Sequence, residues 1–336
     1  MNTDGRTARH QRNTTLEDLL TGLNSDLGLI GDAGLEGFDA PTQPTVFLVG
    51  CARSGTTLAL QWLSGLGAFS WPSNFISRFH AAPWVGQRVQ MMLTDPAYDF
   101  RGELTLETAT DPAPFTSRLG KTRGLLAPNE FWYWWRRFLP EGPTHCLSDD
   151  QLAQVDAHRM AAELAAWQDV TGRPLAMKAL IMNWNLPWLA AAVPGSVFLH
   201  VTRDPFLNAQ SLLESRRDFH GDDTAWYSFR PAEYAELKDL PPVEQVAGQI
   251  RCTDAAIAAG LSAIAPHRQL KVAYEDLCAD PRRVYADVRR VLADGGCDLP
   301  ADYPGPKFFP VSQKVRLSDV EQTALRAALD ADPVRA

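Results

Sequence analysis

The chain has 336 residues, of which 45% are hydrophobic and 21% are charged, so it can bury a sizeable core. The Gly and Pro contents are ordinary, which excludes collagen-like and low-complexity chains. Thirty-two Lys and Arg against 40 Asp and Glu give a formal net charge of −8. This charge argues against non-specific binding to nucleic acid or to an anionic membrane surface. Any anion site must therefore be a local basic pocket.

The cysteines and the N-terminal residues indicate a cytoplasmic protein. The five Cys are odd in number, widely spaced and without a C-x-x-C pair, which excludes a disulfide framework and a zinc site. Residues 1–15 are polar and lack the apolar segment of a signal peptide. The longest apolar stretch, residues 186–201, is interrupted by Pro and Gly, so no membrane span is expected.

The elements predicted along the chain are those of an α/β protein. Residues 1–44 are expected to form an extension that is disordered over 1–13 and carries a short helix from Thr14, and residues 45–336 a single domain. The unbroken β-branched run Thr45–Val49 predicts a strand buried on both faces. Further strands are predicted over 174–178, 196–201 and 269–273, and helices from Thr56 to Gly65 and over 149–171, 186–193, 205–217, 243–264 and 281–293, with a helical C-terminal tail.

This alternation predicts a three-layer fold, a parallel sheet with helices on both faces, of the P-loop nucleotide-binding type. Two segments, 68–147 and 218–242, follow no clear pattern. The second is long and polar, and a loop of this length is usually a lid or a binding element.

The first candidate site is the loop Gly50–Thr57, between the first strand and its helix. Its frame is close to the phosphate-binding G-x-x-x-x-G-K-[ST], in which backbone N–H groups and the helix N-terminus face an anion. The Lys of that motif is replaced by Thr56, and the positive charge lies in the loop as Arg53. The alternative, glycines that only turn the chain and an Arg53 paired at the surface, is less consistent with the location.

The second candidate site is Arg203, at the end of the strand predicted over 196–201. Ser211 follows eight residues later, about two turns into the next helix. Taken alone, an Arg–Asp surface pair and a Ser bonded to its own helix backbone are an equally good interpretation. Two anion sites at strand ends, however, suit a nucleotide that carries charge on both sides.

Three motifs together resemble the nucleotide-dependent sulfotransferases. The first is R-S-G-T-T at Arg53–Thr57, and the second is Arg203 with Ser211. The third is Y-E-D-L at Tyr274–Leu277, followed by D-P at Asp280–Pro281. Their order and approximate spacing agree with the family across residues 45–295.

The resemblance implies 3′-phosphoadenosine 5′-phosphosulfate (PAPS) as the sulfuryl donor and no metal. The residues that it assigns to the donor are Arg53, Ser54, Gly55, Thr56 and Thr57 for the 5′-phosphosulfate, Arg203 and Ser211 for the 3′-phosphate, and Tyr274 near the adenine. A half-buried strand-end tyrosine remains a serious alternative for Tyr274. Arg53 is also the predicted catalytic cation, because its planar guanidinium suits two oxygens at once. In the C-terminal basic loop of the family, Lys314 is preferred over Lys307 and Arg316.

The general base remains open among Glu130, His80, Glu103 and His145. Glu130 is preferred because it is a lone carboxylate entering the aromatic run Phe131–Trp135, where desolvation would raise its pKa. A carboxylate in the first turn of a helix is an equally good interpretation of Glu130. For His80, the favoured alternative is a polar residue at an interface.

Three further expectations concern the surroundings of this base. Lys178 is expected to close its strand in solvent, with an orientation into the crevice as the alternative. Arg78 is a candidate acceptor contact. The aromatic run is either a stacking wall for an acceptor or, by default, buried core.

Three function hypotheses follow. The preferred one is transfer of a sulfuryl group to a hydroxyl or amine of a small molecule, sugar or natural product. The alternatives are a P-loop kinase that uses ATP and a non-catalytic nucleotide-binding protein of the same fold; Thr56 in place of Lys counts against the kinase. The expected partner is a small-molecule or carbohydrate acceptor, with no nucleic acid, while the acceptor and the oligomeric state remain open.

Overall fold

The structure is a computed structural model that describes residues 5–98, 116–118 and 121–331 of the chain. Its strands are β1 (Thr45–Val49), β2 (Thr116–Arg118), β3 (Lys121–Arg123), β4 (Leu175–Lys178), β5 (Val197–Thr202) and β6 (Gln269–Ala273). The central sheet has the order β4-β1-β5-β6, and all its neighbouring strands pair in parallel. Strands β2 and β3 form a separate antiparallel pair.

The helices cover both faces of the central sheet. They are α1 (Thr14–Gly34), α2 (Thr56–Gly65), α3 (Pro83–Thr94), α4 (Trp132–Phe138), α5 (Asp149–Ala153), α6 (Ala157–Thr171), α7 (Leu186–Ala192), α8 (Pro205–His220), α9 (Tyr234–Leu237), α10 (Pro242–Ser262), α11 (Tyr274–Ala279), α12 (Pro281–Asp294) and α13 (Asp319–Asp330). Short 3-10 helices cover Ala8–His10, Ile76–Phe79, Pro96–Tyr98, Leu180–Met182 and Pro266–Arg268. None of the helices in the described part of the chain is long and apolar enough to cross a membrane.

The core is divided by the sheet, as the unbroken apolar run of β1 predicts. Phe47 and Val49 pack into one apolar cluster, with residues of α3, α6, α7 and α10. Val46 and Leu48 point to the other face and pack with residues of α2 and α12. Because side chains alternate along a strand, a strand buried on both faces requires helices on both sides. The three-layer α/β fold is therefore confirmed.

The element boundaries agree closely with the sequence where caps define them. The carboxylates of Asp204 and Asp280 accept hydrogen bonds from backbone N–H groups in the first turns of α8 and α12, as the D-P pairs predict. The helix predicted over 149–171 is instead two helices. The Asp156 side chain accepts a hydrogen bond from the Arg159 N–H and so caps a second helix, α6, which begins at the next residue.

The N-terminal residues differ from the expectation. Helix α1 has 21 residues, longer than a short helix, and continues through three glycines. Residues 5–13, expected to be disordered, contact the end of α8. The Thr7 N–H donates to the Phe219 carbonyl (2.9 Å), and the Thr7 hydroxyl donates to the Asp218 carbonyl (3.0 Å). His10 pairs with the Asp218 carboxylate at 2.8 Å.

Candidate functional site

An open cleft of about 1660 Å³ lies at the carboxyl ends of the central strands. The loop after β1, Lys178 at the end of β4, Arg203 after β5 and Tyr274 after β6 all line it. In a parallel sheet these ends meet at one edge, where α/β proteins bind ligands. Residues of both candidate anion sites therefore line one cleft, and residues 226–230 of the long polar segment border it.

The loop after β1 is held by a residue that sequence reasoning missed. The Gly50 N–H donates to Asn183 Oδ1 (3.3 Å), and Asn183 Nδ2 donates to the Gly50 carbonyl (2.9 Å). Asn183 is fully buried, so its amide replaces water for both backbone groups. Within the loop, Arg53 has a φ of +71°, which is rare for a residue with a side chain. The strained backbone at Arg53 is consistent with a functional position.

Gly55 is required by the close approach of Tyr274. Its φ is +103°, and a Cβ at this position would lie 2.6 Å from Tyr274 Cδ2. Helix α2 begins at the next residue, and both Thr56 and Thr57 line the cleft. The loop, the helix N-terminus and the tyrosine thus form one packed wall.

The two predicted anion sites are in direct contact. Arg53 Nε donates to Ser211 Oγ (3.1 Å), and Arg203 Nη1 donates to the Arg53 carbonyl (3.3 Å). Asn208, one turn before Ser211, donates to the Ala52 carbonyl (2.8 Å) and holds α8 against the loop. The structure therefore brings Arg53, Arg203 and Ser211 into one site, although 150 residues separate the two arginines.

Some polar atoms of this site lack hydrogen-bond partners, as is typical of a site that binds an anionic ligand. Ser54 Oγ and Arg203 Nε are buried without a hydrogen-bond partner. Within the described ranges, no carboxylate forms an ion pair with Arg53 or Arg203; both contact backbone, hydroxyl or ring atoms. Burial lowers the pKa of the Arg53 guanidinium, and the nearby Arg203 charge acts in the same direction. A bound anion would relieve both effects.

The C-terminal segment covers Arg203 and Tyr274. Arg203 Nη2 donates to the Ser312 carbonyl (2.7 Å), and the Ser312 N–H donates to the Tyr274 hydroxyl (3.2 Å). The Arg203 guanidinium lies 4.8 Å from the centre of the Tyr274 ring. Tyr274 is buried against this segment.

Among the basic residues of that segment, Arg316 lines the cleft and pairs with Glu214 at 2.8 Å. Lys314 and Lys307 are exposed and are not among the lining residues. The carbonyl of Lys314 accepts a hydrogen bond from Gln210 on α8 (2.9 Å).

Glu130 and Lys178 form an ion pair beside the loop. Lys178 Nζ lies 2.8 Å from Glu130 Oε1 and 2.7 Å from Thr57 Oγ1, and Trp132 Nε1 donates to Glu130 Oε2 (2.7 Å). Only 5% of the Lys178 side chain is exposed, so the expectation of a solvent-facing lysine is wrong. Residues 128–132 fold over the end of β4, and strand periodicity cannot reveal that contact.

The pKa of Glu130 also differs from the expectation. Burial acts to raise it, but the ammonium of Lys178 and the hydrogen bonds from Lys178 and Trp132 outweigh burial and lower the pKa below its ordinary value. The predicted increase is therefore wrong for the free protein. Glu130 is ionised at neutral pH and can accept a proton. It precedes α4 and does not lie in the first turn of that helix.

The other candidate bases occupy different surroundings. His80 is not among the cleft residues; its ring stacks on Tyr133 (5.3 Å between centroids), and burial together with Arg137 lowers its pKa to about 4. His145 lines the cleft, and its Nδ1 accepts a hydrogen bond from the Arg230 N–H (3.0 Å). Glu103 lies outside the described residues.

Two further sequence expectations are clarified by the structure. The aromatic run is divided: Phe131, Trp134 and Trp135 are buried core, whereas Trp132 and Tyr133 line the cleft. Arg78 is not among the lining residues. Across residues 5–98, 116–118 and 121–331, no cluster of three or more His, Cys, Asp or Glu is arranged to hold a metal ion.

Comparisons with solved structures find similar folds at low sequence identity. The chain is similar to sulfotransferase STF9 from Mycobacterium avium, with 14% identity, a TM-score of 0.52, and coverage of 98% of this chain and 80% of that chain. Sulfotransferase STF1 from Mycobacterium tuberculosis H37Rv also matches, with 14% identity, coverage of 92% and 79%, and a TM-score of 0.48. No curated protein matches the sequence.

The family assignment comes from the sequence itself. A family model described as "Sulfotransferase family" matches residues 44–296. This range includes the loop at Arg53, the Arg203–Ser211 pair and the Y-E-D-L motif, which carried the resemblance. Because the match covers more than half of the chain, this protein is an enzyme of the sulfotransferase family.

Proposed function

We propose that the enzyme transfers the sulfuryl group of PAPS to a hydroxyl or amine of a small molecule, sugar or natural product. The supporting observation is the contact between the two anion sites. Arg53 reaches Ser211 (3.1 Å) and Arg203 reaches the Arg53 carbonyl (3.3 Å), in one cleft. PAPS carries its 3′-phosphate and 5′-phosphosulfate on one ribose, so its two anionic groups need adjacent cations.

The unsatisfied atoms support the fit of this donor. The loop from Arg53 to Thr57 would hold the 5′-phosphosulfate, with Ser54 Oγ buried and unpartnered in the loop. Arg203 and Ser211 would hold the 3′-phosphate, to which Arg203 Nε is an available donor. Tyr274 borders the nucleotide side, and the family implies that the adenine lies near it. Lys314 remains a prediction as a donor contact, and Arg316 lies nearer to the cleft.

In this proposal the reaction is an in-line displacement at sulfur. The acceptor oxygen forms a new S–O bond while the bond from sulfur to the bridging phosphosulfate oxygen breaks. The acceptor proton passes to the Glu130 carboxylate, and the electron pair of the broken bond remains on 3′,5′-adenosine bisphosphate. Catalysis then depends on positioning and on charge stabilisation.

Lys178 connects the two halves of this reaction. Its ammonium contacts both Glu130 and Thr57 (2.8 and 2.7 Å). It therefore lies between the proposed base and the loop Arg53–Thr57, which we call the donor loop. As negative charge develops on the bridging oxygen, Lys178 is placed to stabilise it. Interaction of Lys178 with that oxygen would weaken its contact with Glu130, and this raises the pKa of Glu130 as the acceptor proton is transferred.

Calorimetry with matched nucleotides tests the donor assignment. The wild-type enzyme is expected to bind 3′,5′-adenosine bisphosphate at least tenfold more tightly than 5′-AMP, because the 3′-phosphate adds charge-assisted hydrogen bonds. Arg203→Gln should abolish this preference, while Arg283→Gln, on the exposed face of α12, should retain it. Binding of ATP without binding of the bisphosphate would instead support a kinase. A screen with labelled PAPS against hydroxylated metabolites and glycans then identifies the acceptor.

A further inference from the structure

The cleft holds more positive charge than the two donor sites use. Arg136 and Arg230 also line it. Arg136 lies over the ring of Trp132 (5.4 Å to the centroid), and Arg230 lies over Tyr234 (4.8 Å). In the described part of the chain no carboxylate pairs with either guanidinium, and Glu141, which also lines the cleft, forms no ion pair with them.

His145 interacts with both arginines and contributes a hydrogen-bond donor. Burial, and then the positive charges of Arg230 and Arg136, lower the pKa of His145 to about 4, so the ring is neutral at physiological pH. Its Nδ1 accepts the Arg230 N–H (3.0 Å), which assigns the remaining ring proton to Nε2. The neighbourhood therefore offers two guanidinium groups and one N–H donor.

An aromatic surface connects this neighbourhood with the proposed base. The Trp132 ring stacks on Phe229 (5.0 Å between centroids, 15° between planes), and Phe229 also contacts the His145 ring (5.2 Å). The indole N–H of the same Trp132 donates to Glu130. Glu130 thus lies at one edge of the indole, while Arg136 lies over the ring.

From this arrangement we propose that the acceptor is an anion: a ring-bearing molecule whose carboxylate, sulfonate or phosphate group binds Arg136, Arg230 and His145 while its hydroxyl faces Glu130. The inference rests on the proposed function and specifies its acceptor class. The two-ring indole of Trp132 lies between the two groups, with Glu130 at its N–H and Arg136 over its ring, so two-ring probes are a suitable first choice. The chain carries a net charge of −8. Two arginines without a carboxylate partner therefore form a local positive site, which favours anionic acceptors.

The test uses three naphthol probes that differ in one substituent. 6-Hydroxy-2-naphthoate, 6-hydroxynaphthalene-2-sulfonate and the neutral 6-hydroxy-2-naphthamide are titrated into the enzyme saturated with 3′,5′-adenosine bisphosphate. At least one anion is expected to bind about tenfold or more tightly than the amide, because charge-assisted hydrogen bonds to Arg are strong. The relative affinities of carboxylate and sulfonate show which anion the site prefers.

Arginine variants show whether this preference comes from the proposed site. Arg136→Gln and Arg230→Gln should each reduce it severalfold, and the double variant should remove it. Arg290→Gln, an exposed arginine on α12, should leave it unchanged. Equal binding of all three probes to the wild type, binding of none of them, or a preference that survives in the double variant would overturn the proposal.

Binding of the nucleotide separates this proposal from the one on which it rests. Each arginine variant is also titrated with 3′,5′-adenosine bisphosphate, whose affinity should not change. If the wild type does not bind the bisphosphate, the donor assignment fails, and titration of the probes into the nucleotide-free enzyme still decides whether the anion site exists.

Discussion

Replacing Lys178 with Met tests the ion pair beside the donor loop. The substitution keeps an unbranched apolar side chain in a site that is 5% exposed, but removes the ammonium that contacts Glu130 Oε1 at 2.8 Å. Two unit charges about 4 Å apart attract by about 4 kcal/mol at the effective dielectric of a protein surface. Removing one partner of a buried pair costs about 3–5 kcal/mol, and an exposed pair contributes about 0.2–1 kcal/mol. Since the Glu130 side chain is 37% exposed, water screens the remaining charge and we expect a loss of about 1–2 kcal/mol at pH 7.

The pH dependence of this loss identifies its cause. In the wild type the pKa of Glu130 is lowered by Lys178, so the pair stabilises the fold above the ordinary glutamate pKa and that contribution disappears as pH falls through the lower, folded value. In Lys178→Met, burial without the ammonium raises the pKa of Glu130. The difference in unfolding free energy should therefore be largest at pH 7, decrease as pH falls through the pKa of Glu130 in the variant, and continue to decrease below 4.5 to the lowered pKa of the wild type.

Urea denaturation at several pH values, followed by tryptophan fluorescence, measures the difference. Lys238→Met, at an exposed lysine, is the matched control and should unfold like the wild type. A loss that is the same at pH 7 and well below pH 4.5 would indicate lost packing and refute the electrostatic argument. Once an acceptor is known, the acidic limb of the kcat/KM profile should also move to higher pH in Lys178→Met, because a base with a raised pKa is protonated at higher pH.

Two further predictions concern the backbone of the donor loop. Gly55→Ala should lower the unfolding free energy by about 1–3 kcal/mol and weaken binding of 3′,5′-adenosine bisphosphate, because its Cβ would lie 2.6 Å from Tyr274 at a φ of +103°. Gly65→Ala, which meets no atom within 4 Å, is the control, and equal unfolding energies of the two variants would contradict the argument. Asn183→Ala should cost about 2 kcal/mol, since it leaves the buried N–H and carbonyl of Gly50 without partners. An unchanged urea midpoint would show that Asn183 does not hold the loop.

The sequence alone determined the features that depend on near neighbours in the chain. The run Thr45–Val49, apolar after its first residue, predicted its strand to the residue, because burial on both faces favours an unbroken apolar run. The D-P pairs marked the starts of α8 and α12, because a carboxylate satisfies the first N–H groups of a helix. The strand-end positions of Arg53 and Arg203 followed from the same local patterns, and parallel strand ends meet at one edge of a sheet.

Only the tertiary structure decided how distant segments meet. Glu130 and Lys178 are 48 residues apart, and Gly50 and Asn183 are 133 residues apart. Nothing in the sequence links the two members of either pair, because the partner that lowers the pKa of Glu130 or binds the backbone of Gly50 is set by how separate segments pack together. The charge of the proposed acceptor pocket has the same origin. Arg136 and Arg230 belong to segments without a regular apolar pattern, and periodicity gives no information on where such segments lie.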